Sequence, residues 1–245
     1  MNNNQTLEKL QQMRLSAMAS LHKQHLGDNR IESMTTDEYL ALLVDHQWED
    51  RLNKKIVRLV SQACFKQKAS LVEITYDPQR NLDKNSFVRL GTLDFIRRKE
   101  NLIVTGASGT GKSYLAQALG YEACLMEYKV LYANTSKLLN ELILSKMDGS
   151  YLKELKRVTR TDLLILDDFG LQALDQQSRE IMMDIIDDRH NGASTIIASQ
   201  IPVSAWYELI GEGTIADAIL DRIVNSSHRI KLEGESLRKG KLKSI

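Results

Sequence analysis

Eight consecutive residues constrain this chain more than any others: Gly106-Ala107-Ser108-Gly109-Thr110-Gly111-Lys112-Ser113. They fit the pattern G-x-x-x-x-G-K-[ST], and their flanks are the ones the pattern needs. Leu102-Ile103-Val104 reads as a buried strand before them, and Tyr114-Leu115-Ala116-Gln117-Ala118-Leu119 as a helix after them. Backbone N–H groups in such a loop converge on a phosphate, and the helix amino terminus adds positive potential. Glycine is required where a Cβ would block the chain or hold the ligand away. Lys112 is expected to reach the β- and γ-phosphates, and the Ser113 hydroxyl to hold Mg²⁺. The alternative is a glycine-rich strand-to-helix turn with no ligand.

Beyond Asn101 strand and helix patterns alternate, the sign of a parallel sheet covered on both faces. Strands are predicted at 101–105, 129–134, 163–167, 194–199 and 228–232. Helices are predicted at 112–126, 135–146, 149–158, 175–191 and 214–225. The third strand, Leu163-Leu164-Ile165-Leu166, ends in Asp167-Asp168. A buried strand delivers such acids to the carboxyl edge of the sheet, where ligands bind in open α/β folds. Asp167 is expected to serve Mg²⁺, and Asp168 the water that attacks a γ-phosphate. The fourth strand ends in Ala198-Ser199-Gln200, which nominates Gln200, with Ser199 second, as a polar contact to that water. Arg222, in Ala218-Ile219-Leu220-Asp221-Arg222-Ile223, reads either as an arginine finger reaching a neighbour's γ-phosphate or as an ion pair with Asp217 or Asp221.

The amino-terminal part is helical by pattern. Residues 5–27 read as one helix, ended by Gly27-Asp28-Asn29. Thr35-x-x-Glu38 is a capping box opening a second helix that runs to about Lys66. Net charge over the 245 residues is only +1, so any nucleic-acid surface must come from local segregation of charge. Such segregation exists here. Arg51, Lys54, Lys55 and Arg58 share one helix face, Lys66 and Lys68 follow, and no acid interrupts them. Like charges at this spacing repel, so a counter-charge is expected; the face reads either as one that lies along DNA phosphates or as a solvated helix face, which charge runs usually are. Residues 70–100 read as a connector with a turn at Pro78 and a short helix from Phe87 to Arg98. Cys64 and Cys124 are expected to be buried free thiols, and His190 and His228 structural or exposed. Neither a signal-peptide pattern nor an apolar run near the ~20 residues of a membrane helix is seen, so a cytoplasmic protein without membrane contact is expected.

Taken together, G-A-S-G-T-G-K-S, L-L-I-L-D-D-F-G, A-S-Q-I-P-V-S-A-W, A-D-A-I-L-D-R-I and G-E-S-L-R resemble the IstB branch of AAA+ ATPases. These are helper ATPases of bacterial insertion sequences, and helicase loaders of the DnaC/DnaI type are their sister branch. The resemblance implies an α/β fold: an AAA+ P-loop three-layer sandwich with a five-stranded parallel sheet and a small helical N-terminal domain; because so few residues follow the last predicted strand, the C-terminal lid of most of the superfamily is expected to be absent. It implies a helical DNA-binding domain over 1–75, a connector over 76–98 and an ATPase domain over 99–245. It further implies ATP and Mg²⁺ as cofactors, and a homo-oligomer that deforms duplex DNA for a transposase.

Carried onto this chain, nucleotide lies on Gly106, Ala107, Ser108, Gly109, Thr110, Gly111, Lys112, Ser113 and Tyr114. Asp167 and Asp168 serve metal and water, Gln200 is a first sensor, Arg222 a finger in trans and Arg238 a second sensor. Lys153, Lys156, Arg157 and Arg160 add DNA contacts. Asp168 stands where many relatives of the superfamily have Glu, which suggests slow hydrolysis, and Gln200 replaces the more usual Asn. A replicative-helicase loader is the nearest rival reading. A small-molecule kinase and a non-hydrolysing DNA-binding module are more distant ones.

Overall fold

The computed structural model describes residues 3–26, 34–211 and 213–237. Two compact units divide at Arg58/Leu59. The first holds α1 (Asn3–Gln12), α2 (Ser16–His25) and most of α3 (Thr36–Gln62). Where one helix was predicted over 5–27, the chain breaks at Met13–Leu15, because Arg14 takes a left-handed φ of 60°. The predicted stop at Gly27-Asp28-Asn29 lies outside the described residues. Gln47, buried on α3, accepts the Ala17 and Met18 amides at 3.2 Å, so α3 caps the exposed amino terminus of α2. Glu38 accepts from the Thr35 amide at 2.8 Å, and the Glu38 amide donates back to Thr35 Oγ1 at 3.3 Å. That reciprocal pair is the predicted capping box.

The second unit contains a five-stranded parallel sheet in the order β2-β3-β4-β1-β5: β1 (Asn101–Gly106), β2 (Val130–Asn134), β3 (Leu163–Phe169), β4 (Ser194–Ser199) and β5 (Ser227–Leu232). Alternation along the strands splits the core into two layers. Leu102, Val104, Tyr132, Ile165 and Ile196 face one side with Leu115 and Leu119 of α6 (Lys112–Leu125), and with Phe87 of α4 (Lys84–Gly91) and Phe95 of α5 (Asp94–Arg97). Ile103, Leu131, Leu164, Leu166 and Ile197 face the other. There they meet α7 (Thr135–Met147), α8 (Tyr151–Thr159), α9 (Gln176–Arg189), α10 (Trp206–Ile210) and α11 (Gly213–Val224). This is the three-layer α/β sandwich with a five-stranded parallel sheet expected from the sequence. The expected helix from Phe87 to Arg98 is two short ones, because Leu93 turns left-handed at φ 60°.

One polar side chain holds the second core layer at its lower end. Arg189, 2% exposed, donates to the carbonyls of Val158, Thr159, Thr161 and Ser194 and to Thr195 Oγ1. Burial lowers its guanidinium to about 10, still a cation at neutral pH. Cys124 is a buried thiol, pushed up to about 12 by desolvation and therefore inert. Cys64 departs from expectation: it is exposed, on a left-handed residue past the end of α3. Among the described residues no helix is long and apolar enough to cross a membrane.

Candidate nucleotide site and basic surfaces

The loop between β1 and α6 sits at the carboxyl edge of the sheet, and its glycines are there for steric reasons. Gly106 has φ +151°, and a Cβ on it would lie 2.5 Å from the Leu232 carbonyl oxygen of β5. Gly111, at φ +95°, would drive a Cβ to 2.8 Å from Arg80 Nη2. Lys112 is buried and its Nζ spans the loop to the Ala107 carbonyl at 2.8 Å. The Thr110 hydroxyl donates to the same oxygen at 2.9 Å. Ala107 and Ser108 are exposed at the loop tip.

β3 brings its acids to this loop. Ser113 Oγ donates to Asp167 Oδ1 at 2.9 Å, and the Asp168 amide donates to that oxygen at 3.0 Å. Asp167 Oδ2 accepts from the buried Tyr132 hydroxyl of β2. Burial, and then the bond to Asp167, push the Tyr132 phenol well above its usual range, so it stays a neutral donor. Asp168 lies where β3 slips register against β4, in a left-handed conformation at φ 57°. Asp tolerates that region better than most residues, and strain of this kind gathers at functional sites. Asn134 Nδ2 donates to Asp168 Oδ2 at 2.9 Å, while Asn134 Oδ1 caps α7 through the Lys137 amide at 3.2 Å.

Gln200 directly follows Ser199, which is in register with both Phe169 of β3 and Thr105 of β1. Its half-buried side chain therefore belongs to the same edge as the loop and the acids. Ser199, the second choice, is occupied structurally: its hydroxyl donates to the Phe169 carbonyl at 2.6 Å and accepts the Ile201 amide at 3.0 Å.

Arg222 is elsewhere. Its carbonyl accepts from Asn101 Nδ2, at the amino end of β1, so most of a strand, roughly 17 Å at ~3.3 Å per residue, separates it from the loop. Its guanidinium pairs with Asp187 of α9 at 3.0 Å, not with Asp217 or Asp221. Arg238 lies outside the described residues.

Two neighbours of the loop lie outside the phosphate-loop motif itself. Arg80, 7% exposed, donates to the Thr75 carbonyl at 2.7 Å and the Thr110 carbonyl at 2.9 Å. The Leu237 amide donates to the Gly109 carbonyl at 3.0 Å. Beside them a cavity of about 260 Å³ is lined by Ile74, Thr75, Tyr114, Leu115 and Leu237. Pro78 and the polar run around it announced a turn; nothing local announced a buried arginine on the phosphate loop.

The predicted basic residues fall into separate groups. On α3, Arg51, Lys54, Lys55 and Arg58 are exposed. The expected counter-charge is partly internal: Lys54 pairs with Asp50 at 2.7 Å, and Arg51 donates to the Arg14 carbonyl at 3.3 Å. In the second unit Lys66 stacks over the Tyr132 ring, 5.5 Å from its centroid, and Lys68 is exposed. Lys153, Lys156, Arg157 and Arg160 line one cleft of about 770 Å³ along β2 and α8, joined by Lys129, which the sequence reading had passed over. Arg157 also pairs with Glu154 at 2.7 Å.

The family model described as IstB-like ATP binding protein matches residues 8–244. The chain belongs to the IstB-like ATP-binding proteins. An insertion-sequence ATP-binding protein of Sinorhizobium fredii is 41% identical over 96% of this chain and 96% of its own length. Among solved structures, DnaI covers 71% of this IstB-like chain and 93% of its own at a TM-score of 0.57 and 21% identity. The replication initiator DnaA, bound to AMPPCP and single-stranded DNA, covers 74% and 56% at 0.59 and 20%. At those identities the likeness is one of fold alone. ATP binding is the property by which this IstB-like family is described.

Proposed function

We propose that this protein is an ATPase that assembles on duplex DNA in its ATP-bound form, deforms the duplex and assists the transposase of its insertion sequence. The observation that carries the reading is the meeting of Ser113, Asp167 and Asp168 at one loop edge, within hydrogen-bonding distance of one another or of shared partners. Ser113 Oγ and Asp167 Oδ1, two hard oxygens 2.9 Å apart, suit Mg²⁺. That ion would neutralise charge building up between the β- and γ-phosphates.

The chain's own residues supply the rest. Lys112 leaves the Ala107 carbonyl for the phosphates. The Asp168 carboxylate, oriented by Asn134, takes the proton of the attacking water, and Gln200 holds that water in line. Tyr132 fixes the rotamer of Asp167. Arg222 lies too far from its own loop to help there, which supports a role at a neighbour's γ-phosphate once Asp187 releases it. DNA bending costs several kcal/mol, roughly 1–6 for a smooth turn over a short site, and phosphate contacts repeated along an oligomer offset it. The basic face of α3 and the Lys153–Arg160 cleft are the surfaces for those contacts.

The decisive experiment is calorimetry with ATP and Mg²⁺, followed by sedimentation with duplex DNA. We expect nucleotide binding in the parent, its loss in Lys112→Ala, and DNA-bound oligomers only where ATP binds. Oligomers on DNA that form equally well without nucleotide would refute the coupling.

A further inference from the structure

A loop that binds an anion through amides must point its carbonyls elsewhere, and something must hold them there. In a trans peptide the C=O and the following N–H point in opposite directions, and the described chain has no cis bonds. The donor on the Thr110 carbonyl therefore sets the direction of the Gly111 N–H. The donor on the Gly109 carbonyl sets that of the Thr110 N–H. Neither donor belongs to the motif. One is Arg80 Nη2 at 2.9 Å, the other the Leu237 amide at 3.0 Å. The two are themselves linked, since the Glu233 amide donates to the Arg80 carbonyl at 3.0 Å.

Arg80 is an expensive choice for filling space. It is 93% buried by its 7% exposure, burial depresses its guanidinium, and its Nε has no partner among the described residues. An apolar side chain would pack there at lower cost. What an apolar chain cannot do is grip two carbonyls from separate segments, Thr75 and Thr110, in fixed directions, as a planar fork does.

We propose that Arg80 is a positioning residue for phosphate binding, aiming the Gly111 N–H into the loop, with the Leu237 amide turning the Thr110 N–H toward the loop interior, where it donates at 3.4 Å to the same Ala107 carbonyl that Lys112 holds. The proposal rests on the reading of Gly106–Ser113 as the ATP site. It makes the connector before β1 and the segment after β5 determinants of affinity for both di- and triphosphate.

The test uses full-length protein, fluorescent ADP and ATP titrations, and the ³¹P resonance of the β-phosphate in bound ADP. Arg80→Met should weaken ADP and ATP alike, roughly ten- to hundredfold, the range for one misaligned charge-assisted hydrogen bond, and should shift the β resonance. Arg80→Lys, which reaches one carbonyl but not two, should fall between. Leu237→Pro removes the second donor from an exposed residue, should weaken both nucleotides likewise, and decides the matter if the Met variant does not fold. Unchanged affinity and an unchanged β resonance in the Arg80 variants, or in Leu237→Pro when it stands in for them, would overturn the proposal. A parent protein that binds neither nucleotide would instead overturn the site reading beneath it.

Discussion

Tyr132 and Arg189 show how a single buried polar group can serve the site or the fold. Tyr132 holds the free oxygen of Asp167 from the adjacent strand, and it is a neutral donor over the whole usable pH range. Replacing it with Phe keeps the ring and removes only the bond. We expect ATP affinity within about threefold of the parent, hydrolysis lowered about tenfold or more, and stability lowered by about 1 kcal/mol, read by steady-state phosphate release and denaturant titration. Arg189 touches no candidate site residue. Arg189→Met should leave four carbonyls without their donor and cost about 4 kcal/mol or more in chemical unfolding, enough to threaten the fold of the second unit. A loss under about 1 kcal/mol would show that water replaces the guanidinium freely.

The five strands of the second unit and the helices between them, α10 apart, were legible because each obeys a local rule. Apolar runs ending in Gly106 and Asp167 fixed β1 and β3, and the motif fixed the loop between β1 and α6. The breaks at Arg14 and Leu93 were not legible, since neither residue advertises a left-handed turn as glycine would. The same distinction holds at the site. Ser113, Asp167 and Asp168 were named from local pattern, whereas Arg80 and Tyr132 reach their partners 30 and 35 residues away, contacts no short pattern encodes. Helix α3 also needed the structure, because Asp50 already answers Lys54. Reversal of charge at Arg58 should therefore weaken DNA binding more than reversal at Lys54, and reduce the salt slope by close to one ion. Equal effects, measured by binding isotherms over a salt series, would mean that the Asp50 pair opens on DNA.

At the scale of the whole molecule, the sheet separates the two groups that we propose meet across a junction between subunits. The loop stands at the carboxyl edge, and Arg222 at the amino end of β1. Neither Lys112→Ala nor Arg222→Ala should hydrolyse ATP alone. Mixed in equal amounts on DNA, the two should regain activity, because some junctions then hold an intact loop facing an intact arginine. Phosphate release no higher than in the separate variants would place Arg222 outside the chemistry.

A sheet's outermost strands normally invite a foreign strand to join them. Here the Ala63 carbonyl takes the Tyr132 amide of β2, and Asn81 covers the Lys231 carbonyl of β5 at 3.1 Å. Copies of this chain gathered side by side, as the proposed assembly requires, would be prone to lend backbone to one another and set into fibrils. With one backbone group on each border already bonded, such copies have less open strand to share, and contacts through side chains can be made and dissolved again.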